Sequence, residues 1–72
     1  MVNKELLEIR IKKSGKTKTH LAKKIGRSIQ SLKRKIDNKS DFTINEVGIL
    51  CSELEIKELS EKEEIFFADN VE

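Results

Sequence analysis

Residues 28–36, SIQSLKRKI, hold the side chains best suited to chemistry on a ligand. Read as a helix, the segment turns Leu32 and Ile36 inward at an i, i+4 spacing and leaves Ile29, Gln30, Ser31, Lys33 and Arg34 facing out. A glutamine there pairs bidentately with adenine, an arginine or lysine reaches guanine or phosphate, and a short serine is permissive. Ile29 fits a thymine methyl, and equally a protein partner. Around this helix Lys18, Lys23, Arg27, Lys35 and Lys39 suit contacts to phosphates or to an acidic partner. Such contacts position a protein without carrying sequence information. Thr17 and Ser28 stand where helices begin, so the free amides beside them add phosphate donors. Binding of this kind weakens steeply with salt, because each phosphate contact releases counterions.

Two short helices must position these groups. In residues 17–36, TKTHLAKKIGRSIQSLKRKI, Leu21, Ala22 and Ile25 give the first helix an apolar face. Thr17 caps it and Gly26 stops it; Ser28 then caps the second, which runs to about Ile36 and ends at the polar turn Asp37-Asn38. This is the helix-turn-helix arrangement, whose second helix is presented to the DNA major groove. A basic amphipathic helix alone is as often a mere solvated face; the LAKKIG turn ahead of it tips the reading toward DNA.

The flanking segments read as helices too. Asn3 caps one running to about Lys13, with Leu6 and Ile9 inward and Ser14-Gly15 closing it. Thr43-Ile44-Asn45-Glu46 fits a capping box and opens a fourth helix with Ile44, Val47, Leu50, Cys51 and Leu54 on one stripe. Ser60-Glu61-Lys62-Glu63 repeats that pattern and opens a short fifth helix containing Ile65, Phe66, Phe67 and Ala68. Two adjacent phenylalanines beside Ile65 cannot share one side, so one packs on the core and the other is left for a partner. Residues 69–72 are expected to fray. The reading is one all-α domain over residues 1–72, a compact helix-turn-helix fold of about five short helices. Its helix-turn-helix lies at about 17–36, and an acidic C-terminal helix and tail at about 57–72.

Composition narrows the function classes. A chain of 72 residues buries only about 60% of its open-chain surface, which leaves no room for a second domain or an enclosed active site. The absence of proline, with three phenylalanines and neither Tyr nor Trp, favours helices and leaves little for aromatic base stacking. The net charge of +2 hides an asymmetry: residues 1–52 carry 13 Lys and Arg against 5 Asp and Glu, residues 53–72 carry 2 against 8. That split points to a basic working face, with an acidic part that either has another job or is solvated surface. Cys51 has no disulfide partner, fits a reducing compartment and behaves as a small hydrophobe. His20 has no second ligand near it in sequence, Glu63-Glu64 lack an acid-base partner, and no glycine-rich phosphate loop occurs. These features argue against an enzyme, a cofactor, a metal site or a small-molecule substrate. The apolar runs are far too short to span a bilayer, and MVNKELLEIR has no signal-peptide core. A soluble, cytoplasmic protein without a membrane partner is expected.

The line TKTHLAKKIGRSIQSLKRKI resembles the Cro/CI-type helix-turn-helix family of phage and bacterial repressors. Those proteins place Leu-Ala, a glycine turn and a Ser-x-x-x-aliphatic recognition helix at this spacing. Leu21, Ala22, Ile25, Gly26, Ser28 and Leu32 match, and the likeness extends over about residues 3–54. From NKELLEIR through DFTINEVGILCSELEI to EEIFFA, the chain is further similar to small switch proteins of temperate phages infecting Gram-positive bacteria. Four departures stand out. Lys18 replaces a frequent Gln, Arg27 a common aliphatic residue, Lys35 a usually apolar one, and Ile29 takes the leading outward position where polar base-readers are common.

The resemblance implies two functions. An autonomous Cro-like repressor would read operator half-sites as a dimer with Gln30, Ser31, Lys33 and Arg34. An antirepressor would bind the DNA-binding domain of a phage CI-type repressor in the host cytoplasm, with double-stranded operator DNA as a further partner. Residue chemistry alone favours a DNA-binding module. The antirepressor accounts for Ile29, the acidic segment and the spare phenylalanine. The resemblance to the phage switch proteins tips the reading to it, a modulator of repression in a lysis-lysogeny switch.

Overall fold

A short polar side chain opens each of the first four helices. The computed structural model describes residues 1–68. Among them are five helices and no strand: α1 (Lys4–Ser14), α2 (Lys18–Ile25), α3 (Ile29–Ile36), α4 (Ile44–Leu54) and α5 (Leu59–Phe66). Asn3, Thr17, Ser28 and Thr43 each accept a hydrogen bond from the amide three residues on, at 3.0–3.1 Å. Each satisfies a backbone donor that lacks an intrahelical partner. Thr43 completes the capping box, its own amide donating to Glu46 Oε1 at 3.0 Å. Gly26 ends α2 at φ +75°, in the left-handed region that glycine adopts without penalty. That turn brings α3 back against α2. The domain is all-α, with the helix order expected.

Four local expectations need correction. Leu7 and Ile11, not Leu6 and Ile9, are the buried pair of α1; Leu6 is half-buried and Ile9 exposed. Ile9 lies about 200° round the helix from Leu7. Arg10, beside the buried stripe, donates from Nη2 to the carbonyls of Leu54 (2.8 Å) and Glu55 (3.1 Å), which turns that stripe toward α4. Ile44, expected on the core stripe of α4, is 77% exposed. It is the first helical residue, one step before the stripe meets the core at Val47. The second capping box does not form: α5 starts at Leu59, so Ser60 is already inside the first turn and Glu58 holds the cap position without a side-chain bond. The helix also stops at Phe66, leaving Phe67 and Ala68 beyond it. Phe66 is buried and Phe67 partly exposed, the division expected for the pair. The expected fraying of residues 69–72 lies outside the described residues.

The deepest side chains, Leu7, Leu21, Leu32, Ile36, Leu50 and Ile65, come from all five helices. Helix α2 packs on α3 and α4, and α1 on α4 and α5. No helix of the described residues is long and apolar enough to cross a membrane. The extended N-terminus stitches the two halves together. The Asn3 amide donates to the Ile65 carbonyl (2.7 Å), and Asn38 grips Val2 from the other side. Asn38 Oδ1 accepts from the Val2 amide at 2.7 Å, and Asn38 Nδ2 donates to the Val2 carbonyl at 2.9 Å. The polar turn after α3 is therefore a clamp, and Asn38 makes it at φ +64°.

Asn38→Ala is expected to lower unfolding stability by about 2–3 kcal/mol, through two lost hydrogen bonds and a left-handed alanine. Asn38→Gly, which relieves the backbone but not the bonds, should cost about 1 kcal/mol less. Urea unfolding followed by circular dichroism checks both; a loss within about 0.5 kcal/mol for either variant would show the clamp to be inert.

Candidate functional site

Helix α3 divides into two unlike faces. Leu32 and Ile36 are buried against the core, while Gln30, Lys33 and Arg34, spaced i, i+3 and i+4, are exposed on the opposite side. None of these three side chains has an ion pair or hydrogen bond among the described residues. Ser28 is exposed but its Oγ is occupied as the cap acceptor, and Ser31, whose amide it caps, is half-buried. Ile29 is also half-buried, which corrects its reading as the exposed leading position. The open face of α3 is thus polar and basic, without an aliphatic anchor.

What fixes that face is an ion cluster around Glu46. Its side chain is almost sealed from solvent, at 4% exposure. Besides the Thr43 amide it meets Lys35 Nζ at Oε1 (3.2 Å) and Arg27 Nε at Oε2 (2.7 Å). Lys35 is itself buried; its ammonium donates to the Asp41 carbonyl at 2.7 Å and lies 5.8 Å from the centre of the Phe42 ring. Phe42 in turn meets Phe66 edge to face at 5.8 Å. One carboxylate therefore joins the α2–α3 turn, the inner side of α3 and the start of α4. Burial pushes the Glu46 carboxyl up, but the Thr43 amide, Arg27 and Lys35 outweigh it and hold the pKa at about 2. Lys35, expected at a phosphate, is turned inward because it is the counter-ion of this buried acid.

The remaining expected contact residues separate into engaged and open ones. Thr17 caps α2, and Lys18 Nζ pairs with Glu8 Oε2 at 2.9 Å. Arg27 uses Nε on Glu46 but is half exposed, leaving both terminal nitrogens without a hydrogen-bond partner among the described residues. Lys23 and Lys39 are exposed, and the Lys39 amide donates to the Arg34 carbonyl at 2.9 Å, holding it just past the end of α3. Of the expected contact residues, those with open cationic groups among the described residues are thus Lys23, Lys33, Arg34, Lys39 and part of Arg27.

The acidic segment does not stand apart as a tail where it is described. Glu53 gathers His20 (3.1 Å), Lys16 (3.2 Å) and Lys24 (3.9 Å), and these partners, His20 foremost, hold its carboxyl below the usual range. Glu61 Oε2 lies 3.1 Å from Arg10 Nε. His20 is thus solvent-facing and paired with an acid. No group of three or more His, Cys, Asp and Glu that could hold a metal occurs among the described residues. Cys51 is buried on the α4 stripe, and burial pushes its thiol pKa up.

Two features had no counterpart in the sequence reading. The Glu46 cluster is one; its only signal was charge at positions 27 and 35, where the resembled family carries apolar residues. The other is the company of Phe67, the phenylalanine expected to be left for a partner: exposed Ile44 and Leu59 line one groove with it, beside Val47, Lys62 and Glu63. No protein-family model, no curated protein and no solved structure matches the chain.

Glu46 also sets a pH dependence. Its pKa falls from 4.5 to about 2 on folding, so its stabilisation is present above the unfolded value and is lost as pH falls through the folded one. The span corresponds to on the order of 3 kcal/mol. Glu46→Gln is expected to be less stable than the parent at pH 7 and to approach it near pH 2, in urea unfolding across that range. Parallel pH profiles for the two proteins would contradict this role.

Proposed function

We propose that the chain is a transcription regulator of a phage genetic switch, built on a Cro/CI-type helix-turn-helix. It acts as an antirepressor, binding the DNA-binding domain of a CI-type repressor, with operator DNA as a further partner of α3. This places it in the host cytoplasm. What supports the reading is the presence of two open surfaces of opposite chemistry on one small domain. The α3 face carries exposed Gln30, Lys33 and Arg34, without an ion pair or hydrogen bond to their side chains among the described residues, the groups that suit base edges and phosphates. Elsewhere, Ile44, Leu59 and Phe67 are apolar and exposed, the character of a protein contact. The pairing of α2 and α3 through the Gly26 turn, with both helices capped, supports the helix-turn-helix assignment.

The half-burial of Ile29 shifts the balance between the surfaces. It removes the aliphatic anchor that would make α3 a protein-binding helix and leaves that face better matched to nucleic acid. A second reading, an autonomous Cro-like repressor, draws on this same observation and uses α3 alone.

Fluorescence anisotropy of labelled DNA from the divergent promoters beside the gene separates the two. An antirepressor is expected to lower the occupancy of operator DNA by the neighbouring CI-type repressor, or to change its complex, at stoichiometric addition. Repressor binding indifferent to excess chain would overturn the antirepressor reading, and selective operator binding by the chain alone would establish the Cro-like one. For any DNA bound by the chain, Lys33→Ala and Arg34→Ala are each expected to reduce the salt slope by about 1. Lys35→Met, altering a buried cation, should leave that slope unchanged in protein that remains folded. A slope that falls for Lys35→Met but not for the other two would place the phosphates elsewhere.

A further inference from the structure

We propose that the outer face of α5, with Ile44 across the groove from it, is a docking surface for a basic amphipathic helix of another protein. The inference deepens the regulatory reading, whose apolar contact surface it shares, but it uses neither α3 nor any operator. Ile44 (77% exposed), Leu59 (67%) and Phe67 (37%) are three large apolar side chains at one groove of about 270 Å³, floored by Val47. Phe67 and Glu63 also border the adjoining groove that reaches Leu6 and Glu64. The apolar surface is therefore continuous across the ridge of α5, in a domain small enough for such exposure to be costly unless it is covered.

The charges around it select the occupant. Glu63 and Glu64, which border the two grooves, are exposed and have no ion pair among the described residues. By contrast Glu8, Glu46, Glu53 and Glu61 each have a cation within reach. Lys62 is the one basic side chain lining the Ile44–Leu59 groove, and it is half-buried. An apolar groove edged by unneutralised carboxylates fits aliphatic side chains at i, i+4 flanked by Lys or Arg, the pattern of a basic helix lying in the groove.

Other occupants fit less well. A second copy docking through the same face would set Glu63 and Glu64 against their twins, a like-charge contact. A second copy docking through α3 offers cations but no exposed aliphatic residue there, since Ile29 is half-buried. The segment 69–72, DNVE, carries two acids and no base, which matches an acidic rim poorly as an occupant.

The test is an amide-shift titration of the full ¹⁵N-labelled chain with a helical peptide of about five turns, built of leucine at i, i+3 and i+4 and lysine elsewhere. Shifts are expected to concentrate at Ile44, Leu59, Glu63 and Phe67. Leu59→Asp, at an exposed site, is expected to weaken binding about tenfold. The pair Glu63→Lys and Glu64→Lys should weaken it similarly and flatten its salt dependence, while Arg34→Ala leaves it unchanged. The inference is overturned by no shifts up to about millimolar peptide or by shifts mapping to α3. Equal binding of the same peptide with glutamate for lysine would overturn it as well. So would shifts of the same residues on concentrating the chain alone, which would assign the face to a second copy.

Discussion

Glu46 is a carboxylate with almost no access to water, and the placement of α3 depends on how its charge is met. A buried acid must be neutralised or paired, since leaving it bare costs several kcal/mol. Here the chain supplies a backbone amide, a guanidinium and an ammonium from three separate segments: Thr43, Arg27 and Lys35. Each partner arrives from a different side, so satisfying the carboxylate fixes the turn before α3, the inward side of α3 and the first turn of α4 together. Apolar packing of Leu32 and Ile36 pins α3 to the core. The ions add direction, because hydrogen bonds to a fixed carboxylate resist rotation and sliding in a way that packing alone does not.

The same arrangement distributes the free charge. Cations facing the interior or the C-terminal acids are consumed: Lys35 by Glu46, Lys16, His20 and Lys24 by Glu53, Arg10 by Glu61, Lys18 by Glu8. Lys33 and Arg34, with Gln30 beside them, are left over on α3. On α5, Glu63 and Glu64 have no ion pair among the described residues, and Glu63 lines the apolar groove. A chain of net charge +2 thus presents one basic polar face and one acidic apolar face. The first suits a polyanion and the second a basic protein, which is the division of labour proposed for a regulator that works on a repressor and on DNA.

Much of the fold was legible because it is written in local signals. Asn3, Thr17, Ser28 and Thr43 announce helix starts by short-range hydrogen bonding, and Gly26 announces a stop by its left-handed backbone. The stripe of α2 followed from spacing alone. Where two stripes competed, as on α1, spacing did not decide, because the burial of Leu7 and Ile11 depends on how the helix packs against α4 and α5. Ser60 misled for a related reason: a capping pattern defines a start only if the core lets the helix begin there. On α3 the exposed Gln30, Lys33 and Arg34 were readable from the period of the helix. Lys35 was not, because its fate depends on a carboxylate eleven residues later in the chain. The charges at positions 27 and 35 were visible as departures from the pattern the chain resembles; their common partner was not.

The central claim is that Lys35 and Glu46 act as one unit to hold α3, and a double-mutant cycle tests it most directly. Glu46→Gln, Lys35→Met and the double variant would be compared with the parent by urea unfolding at neutral pH. A coupling of about 1.5 kcal/mol or more is predicted, with the double variant more stable than the sum of single losses implies. Additive losses, to within about 0.5 kcal/mol, would contradict the account and leave α3 held by apolar packing alone.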